Sequence, residues 1–111
     1  MTPTTHDRRS ADTGRPPSAV IHVPHHSTAI PLDIRDQFVL SPADLAREQR
    51  LMTDHFTDQL FAVPPGLART VTFPVSRLVV DPERFEDDAR EPMAQKGMGV
   101  VYTRTTDGRR L

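Results

Sequence analysis

Two adjacent imidazoles, His25 and His26, fall within the stretch AVIHVPHHSTAIP, residues 19–31. Imidazole is the commonest side-chain ligand of zinc. The residues before it, Ala19, Val20, Ile21 and Val23, form an apolar run short enough for a buried strand. Pro24 ends that run, because proline has no N–H to give a sheet ladder. The histidines therefore stand at the C-terminal end of a strand, where ligands gather in open α/β sheets. The plainer reading is a strand cap in a polar loop with Ser27 and Thr28, since two histidines do not by themselves make a metal site.

Two further segments carry groups with chemical potential. In TDHFTD, residues 53–58, a helix at about 100° per residue would place Asp54 and Asp58 on one face. His55 would lie between that face and the apolar stripe. Asp54 points nearly opposite the stripe, so a solvated polar face competes with a ligand there. In SRLVVDPER, residues 76–84, Arg77 and Arg84 flank an apolar run. Arginine near a strand end can grip a carboxylate through two parallel N–H bonds. The alternative is an Arg77–Asp81 or Arg84–Glu83 ion pair.

The elements that must position these groups follow from patterning. Residues 1–18 are polar with three prolines and no periodicity, and are expected to be a disordered tail. The folded part is then residues 19–111. Ser41 suits a helix N-cap, Pro42 its first position and Asp44 its positive end. That helix is expected to run to residue 61 or 62, where Pro64, Pro65 and Gly66 stop it. Leu45, Met52, Phe56 and Leu60 would form its buried stripe. Residues 68–74 alternate as a second strand, parallel to the first through a right-handed crossover. Residues 78–80 and 97–102 read as third and fourth strands, 83–91 as an exposed loop or short helix, and Asp107-Gly108 as a turn.

Composition narrows the functional classes. The chain has 111 residues, 36% of them hydrophobic, with 14 basic and 15 acidic side chains in mixed order. A net charge of −1 gives no electrostatic case for nucleic acid or an anionic membrane. Cysteine is absent, so disulfides and thiolate chemistry are excluded and any metal must be held by His and carboxylate. No apolar run approaches spanning length and no signal-peptide core is present, so a cytoplasmic protein is the default.

Taken in order, VPHHSTAIP, TDHFTDQLF, FPVSRLVVDPERFEDDAREPM and KGMGVVYTRTTDGRRL resemble the N-formylglutamate amidohydrolase family. The resemblance spans nearly all of residues 20–111, with SRLVVDPERF and GMGVVYTRTTDGRRL its most specific blocks. It implies an α/β fold, part of a three-layer α/β/α arrangement with a mostly parallel or mixed sheet, related to the zinc carboxypeptidases. It implies a zinc-dependent hydrolase that releases formate from N-formyl-L-glutamate, a small N-acyl amino acid, late in histidine degradation. Residue by residue, His25 and then Asp54 match metal-ligand positions, while Arg77 and Arg84 match arginines suited to substrate carboxylates. Ser27 and Pro82-Glu83 depart from forms common in the family, which leaves a related N-acyl amino acid open as substrate.

Family members are longer, and the resemblance places a further histidine ligand and the catalytic glutamate beyond Leu111. The expectation is therefore an N-terminal part of such an enzyme, inactive alone and of marginal stability because its sheet would carry an unpaired edge. The competing expectation is a non-enzymatic remnant that serves as an interaction protein.

Overall fold

A computed structural model describes residues 18–111. The tail expected over residues 1–18 lies outside the described residues apart from Ser18, whose hydroxyl donates to the Leu67 carbonyl at 2.9 Å. Strand β1 is Val20–Val23, and the short helix α1 is Leu32–Arg35. Helix α2 is Pro42–Met52, helix α3 is Thr57–Leu60 and strand β2 is Arg69–Thr72. A 3-10 turn covers Pro92–Lys96. The class is α/β, with β1 and β2 paired in parallel from Val20↔Arg69 to Val23↔Thr72.

Helix α2 begins as its sequence dictates. The Ser41 hydroxyl accepts the Asp44 N–H at 3.2 Å, with Pro42 at the first helical position. Its end differs from the expectation by about ten residues. Thr53 is extended (φ −93, ψ 134) and buried, and the Asp54 N–H leaves the helix to donate to the His25 carbonyl at 2.8 Å. The run Thr-Asp-His-Phe-Thr-Asp has low helix propensity throughout, so one tertiary hydrogen bond is enough to divert it. Phe56 then adopts a left-handed conformation (φ 65) before the single turn of α3. The expected apolar stripe is split in consequence. Leu45 and Met52 pack in the core, whereas Phe56 and Leu60 are 71% and 75% exposed.

The core does not lie on the sheet. Leu45, Leu78, Met98, Tyr102 and Leu111 form it, with Ile30, Phe38, Leu40, Met52 and Met93 packed around them. It sits between α2 and the irregular C-terminal segment, and the sheet contributes only Val23 to the buried apolar residues.

The expected third strand at 78–80 is a turn instead. The Ser76 hydroxyl accepts the Leu78 N–H at 3.2 Å and the Ser76 carbonyl accepts the Val79 N–H at 2.9 Å. A serine that bonds its own backbone competes with sheet ladders in this way. The fourth strand reduces to one antiparallel bridge, Met98↔Tyr102. Gly97 closes the 3-10 turn at φ 73, and a Cβ there would lie 2.6 Å from Arg104 Cγ, so the chain bends where an extended strand was expected. Residues 83–91 form a loop, and the Asp107-Gly108 turn forms with Gly108 at φ 83.

Glu48 ties these parts together. It is a buried carboxylate on α2 that accepts the Thr106 N–H at 2.6 Å and the Thr106 hydroxyl at 3.2 Å. The C-terminal turn is thereby fastened to the helix.

Candidate functional site

The loop after β1 is held from both sides. The Ser27 hydroxyl donates to the Pro74 carbonyl at 2.9 Å, and the Ala29 carbonyl accepts the Ser76 N–H at 2.8 Å. His25 is thereby pressed against residues 76–81 and is buried. Its Nε2 lies 2.8 Å from Asp81 Oδ1, and its Nδ1 lies 3.6 Å from Asp54 Oδ2.

Asp81 is the centre of the arrangement and is fully buried. One of its oxygens, Oδ1, takes His25 and the Glu83 N–H at 3.0 Å. The other, Oδ2, accepts the Tyr102 hydroxyl at 2.7 Å and the Arg77 Nε–H and Nη2–H at 3.2 and 2.9 Å. Arg84 Nε stands 3.8 Å from the same oxygen. Burial alone would push the Asp81 carboxyl upward. The donors from Tyr102, Glu83, His25 and Arg77 outweigh it and hold the group well below the usual carboxylate range. Burial, and then the bond to Asp81, push the Tyr102 hydroxyl up to about 12.

An ionised Asp81 accepts only, so the proton of a neutral His25 ring sits on Nε2. The lone pair of Nδ1 then faces an oxygen of Asp54, which is half exposed. At 3.6 Å the two are too far apart for a hydrogen bond. Two ligand atoms on a tetrahedral zinc stand about 3.4 Å apart, given bonds of about 2.0–2.2 Å. The pair thus has the spacing and chemistry of two ligands to one cation, and Asp81 has the place of the carboxylate that orients a ligating histidine. Among the described residues no group of three or more His, Asp or Glu side chains could hold a metal ion.

His25, Asp54, Arg77 and Arg84 are brought together by Asp81 and its neighbours. The helix break at Thr53 is what turns Asp54 toward His25. Arg77 commits two of its N–H groups to Asp81, which is the ion pair weighed as the plainer reading. Arg84 donates to the Met98 carbonyl at 3.1 Å and to the Tyr102 oxygen at 3.4 Å, and pairs with Asp81 rather than Glu83. His26 lies outside the cluster, with Nε2 4.0 Å from Asp58 and a buried Nδ1 lacking a partner among the described residues. The ring of His55 reaches the Arg50 carbonyl at 3.2 Å, and His22 is exposed on β1. Tyr102 and the centrality of Asp81 escaped the sequence reading. An aspartate directly after Leu78-Val79-Val80 was the available signal, since a carboxylate beside an apolar run is buried only with partners.

A model of the N-formylglutamate amidohydrolase family matches residues 18–111. The chain belongs to the N-formylglutamate amidohydrolase family. No curated protein and no solved structure gives a significant match. The matched span takes in every described residue, so the Asp81 cluster and the core lie wholly within the amidohydrolase region. No helix among the described residues of this amidohydrolase-family chain is long and apolar enough to cross a membrane.

Proposed function

We propose that the chain carries part of the site of a zinc-dependent amide hydrolase acting on N-formyl-L-glutamate. His25 Nδ1 and Asp54 would be two ligands of the metal. The reading rests on a single observation, the outward lone pair of His25 facing the Asp54 carboxylate across 3.6 Å, with Asp81 on the far ring nitrogen. A divalent metal at this place supplies polarisation of the formyl carbonyl and a more acidic water.

The chain's own residues account for orientation. Asp81 fixes the proton on His25 Nε2 and keeps Nδ1 unprotonated. Arg77 and Arg84 are anchored through Asp81, Met98 and Tyr102, and among the described residues each keeps an uncommitted Nη1 for a substrate carboxylate. Anchored arginines give up little side-chain entropy when they bind, so binding is spent on orientation. On this reading β1, α2 and β2 form one part of a three-layer, carboxypeptidase-like domain, and the protein works in the cytoplasm. No third ligand joins the pair among the described residues, and with two protein ligands in place of the usual three the chain is expected to release no formate.

Metal content and turnover test the proposal. The chain should take up about one zinc, with affinity falling at least about tenfold in His25→Ala and in Asp54→Ala, and about 10–100-fold in Asp81→Asn. Zinc binding that survives His25→Ala unchanged would refute the assignment. Formate release by the wild-type chain would refute the view that the site is incomplete.

A further inference from the structure

Beside this site, but separate from it, lies a cleft of about 340 Å³ between α2 and the loop that follows β1. That volume falls at the small end of ordinary ligand pockets. None of His25, Asp54, Asp81, Arg77 or Arg84 lines it. Its floor is apolar, made by Ile30, Pro42, Leu45 and Ala46, and its polar rim is basic, made by Arg35, Arg50 and His55.

Among the described residues the charge of the rim is uncompensated. No aspartate or glutamate lines the cleft, and neither Arg35 nor Arg50 forms an ion pair among the described residues. One wall is rigid. The Gln49 amide donates to the Thr28 carbonyl at 2.8 Å and accepts the Ser76 hydroxyl at 2.6 Å, so it cannot swing in to satisfy the arginines. Arg50 lies on α2 and Arg35 in the last turn of α1, so two independent elements bring an arginine to the lining of one concavity.

We propose that this cleft is a second binding site, for a small organic carboxylate with an apolar body. Guanidinium groups take a carboxylate in charge-assisted bonds, while the floor takes the hydrocarbon part. The same rim repels an ammonium, so the ligand is a carboxylate without a free α-amino group.

A fluorine NMR titration of the chain with 4-fluorobenzoate tests the site. Stripping any metal with 1,10-phenanthroline and then desalting keeps the outcome independent of the zinc reading. Saturable binding is expected, with 4-fluorobenzamide at least about tenfold weaker, because a charge-assisted bond is worth more than about 1.4 kcal/mol. Arg35→Ala and Arg50→Ala should each weaken the benzoate by about fivefold or more, and Arg50→Lys should lose less than Arg50→Ala. Both arginines are exposed, so the substitutions should leave the amide spectrum dispersed. Benzamide binding as tightly as benzoate, alanine variants binding like wild type, or no saturation by a folded or unfolded wild-type chain would each overturn the proposal.

Discussion

The sheet and the Asp81 cluster are built on opposite terms. Strands β1 and β2 have the regular hydrogen-bond ladder, yet β2 is exposed along its whole length and β1 buries only Val23. Residues 76–102 have almost no regular structure, yet they hold Asp81, Leu78 and Tyr102 at 0–5% exposure. Regularity and burial have come apart. A two-stranded ladder in water is marginal, whereas a buried carboxylate with five donors is costly to disturb. The stable part of this molecule should therefore be its irregular part.

Asp81→Asn should break that contrast most severely. It leaves the partly buried Arg77 without its counter-charge and frees the His25 tautomer, so a loss of about 3–5 kcal/mol is expected in denaturant unfolding. Paired truncations sharpen the comparison further. Leu78→Ala should cost about 2–5 kcal/mol, while Leu60→Ala, on the exposed α3, should stay within about 0.5 kcal/mol. Equal costs at the two positions would dissolve the distinction between the regions.

The pH dependence should also report on the cluster. Asp81 is depressed in the folded state, so its contribution is complete above the unfolded carboxylate value near 4 and fades as pH falls below it. Tyr102 is raised to about 12. Its contribution is complete below the unfolded value near 10 and fades as pH climbs toward 12. Stability measured against pH should fall at both ends, and Tyr102→Phe should flatten the alkaline limb. An unchanged alkaline limb would remove Tyr102 from the account.

The smallest expected effect has the opposite sign. Phe56 is left-handed and mostly exposed, so Phe56→Gly relieves backbone strain with little loss of burial. A gain of about 0.5–1 kcal/mol is expected in the same unfolding assay.

Much of the local structure was legible in the sequence because it is set by near neighbours. The strand ending at Pro24, the Ser41 cap and the Asp107-Gly108 turn all belong to this class, while the parallel β1–β2 pair followed from the strand–helix–strand order. The errors lie where a distant group decides. Nothing in residues 53–58 announces that the His25 carbonyl will take the Asp54 N–H and end α2 at Met52. Nothing in the Leu78-Val79-Val80 run reveals that Ser76 will fold it into a turn beneath a buried aspartate. The site groups were legible as chemical types, and their meeting point was not, because Asp81 looks on paper like half of a surface ion pair.

The His25–Asp81 contact spans 56 positions along the chain. Closing so wide a loop costs entropy that only the finished cluster returns. Nδ1 acquires its direction only when those distant stretches have met, so the imidazole should be among the last groups to settle during folding, well after α2 has formed on its local signals.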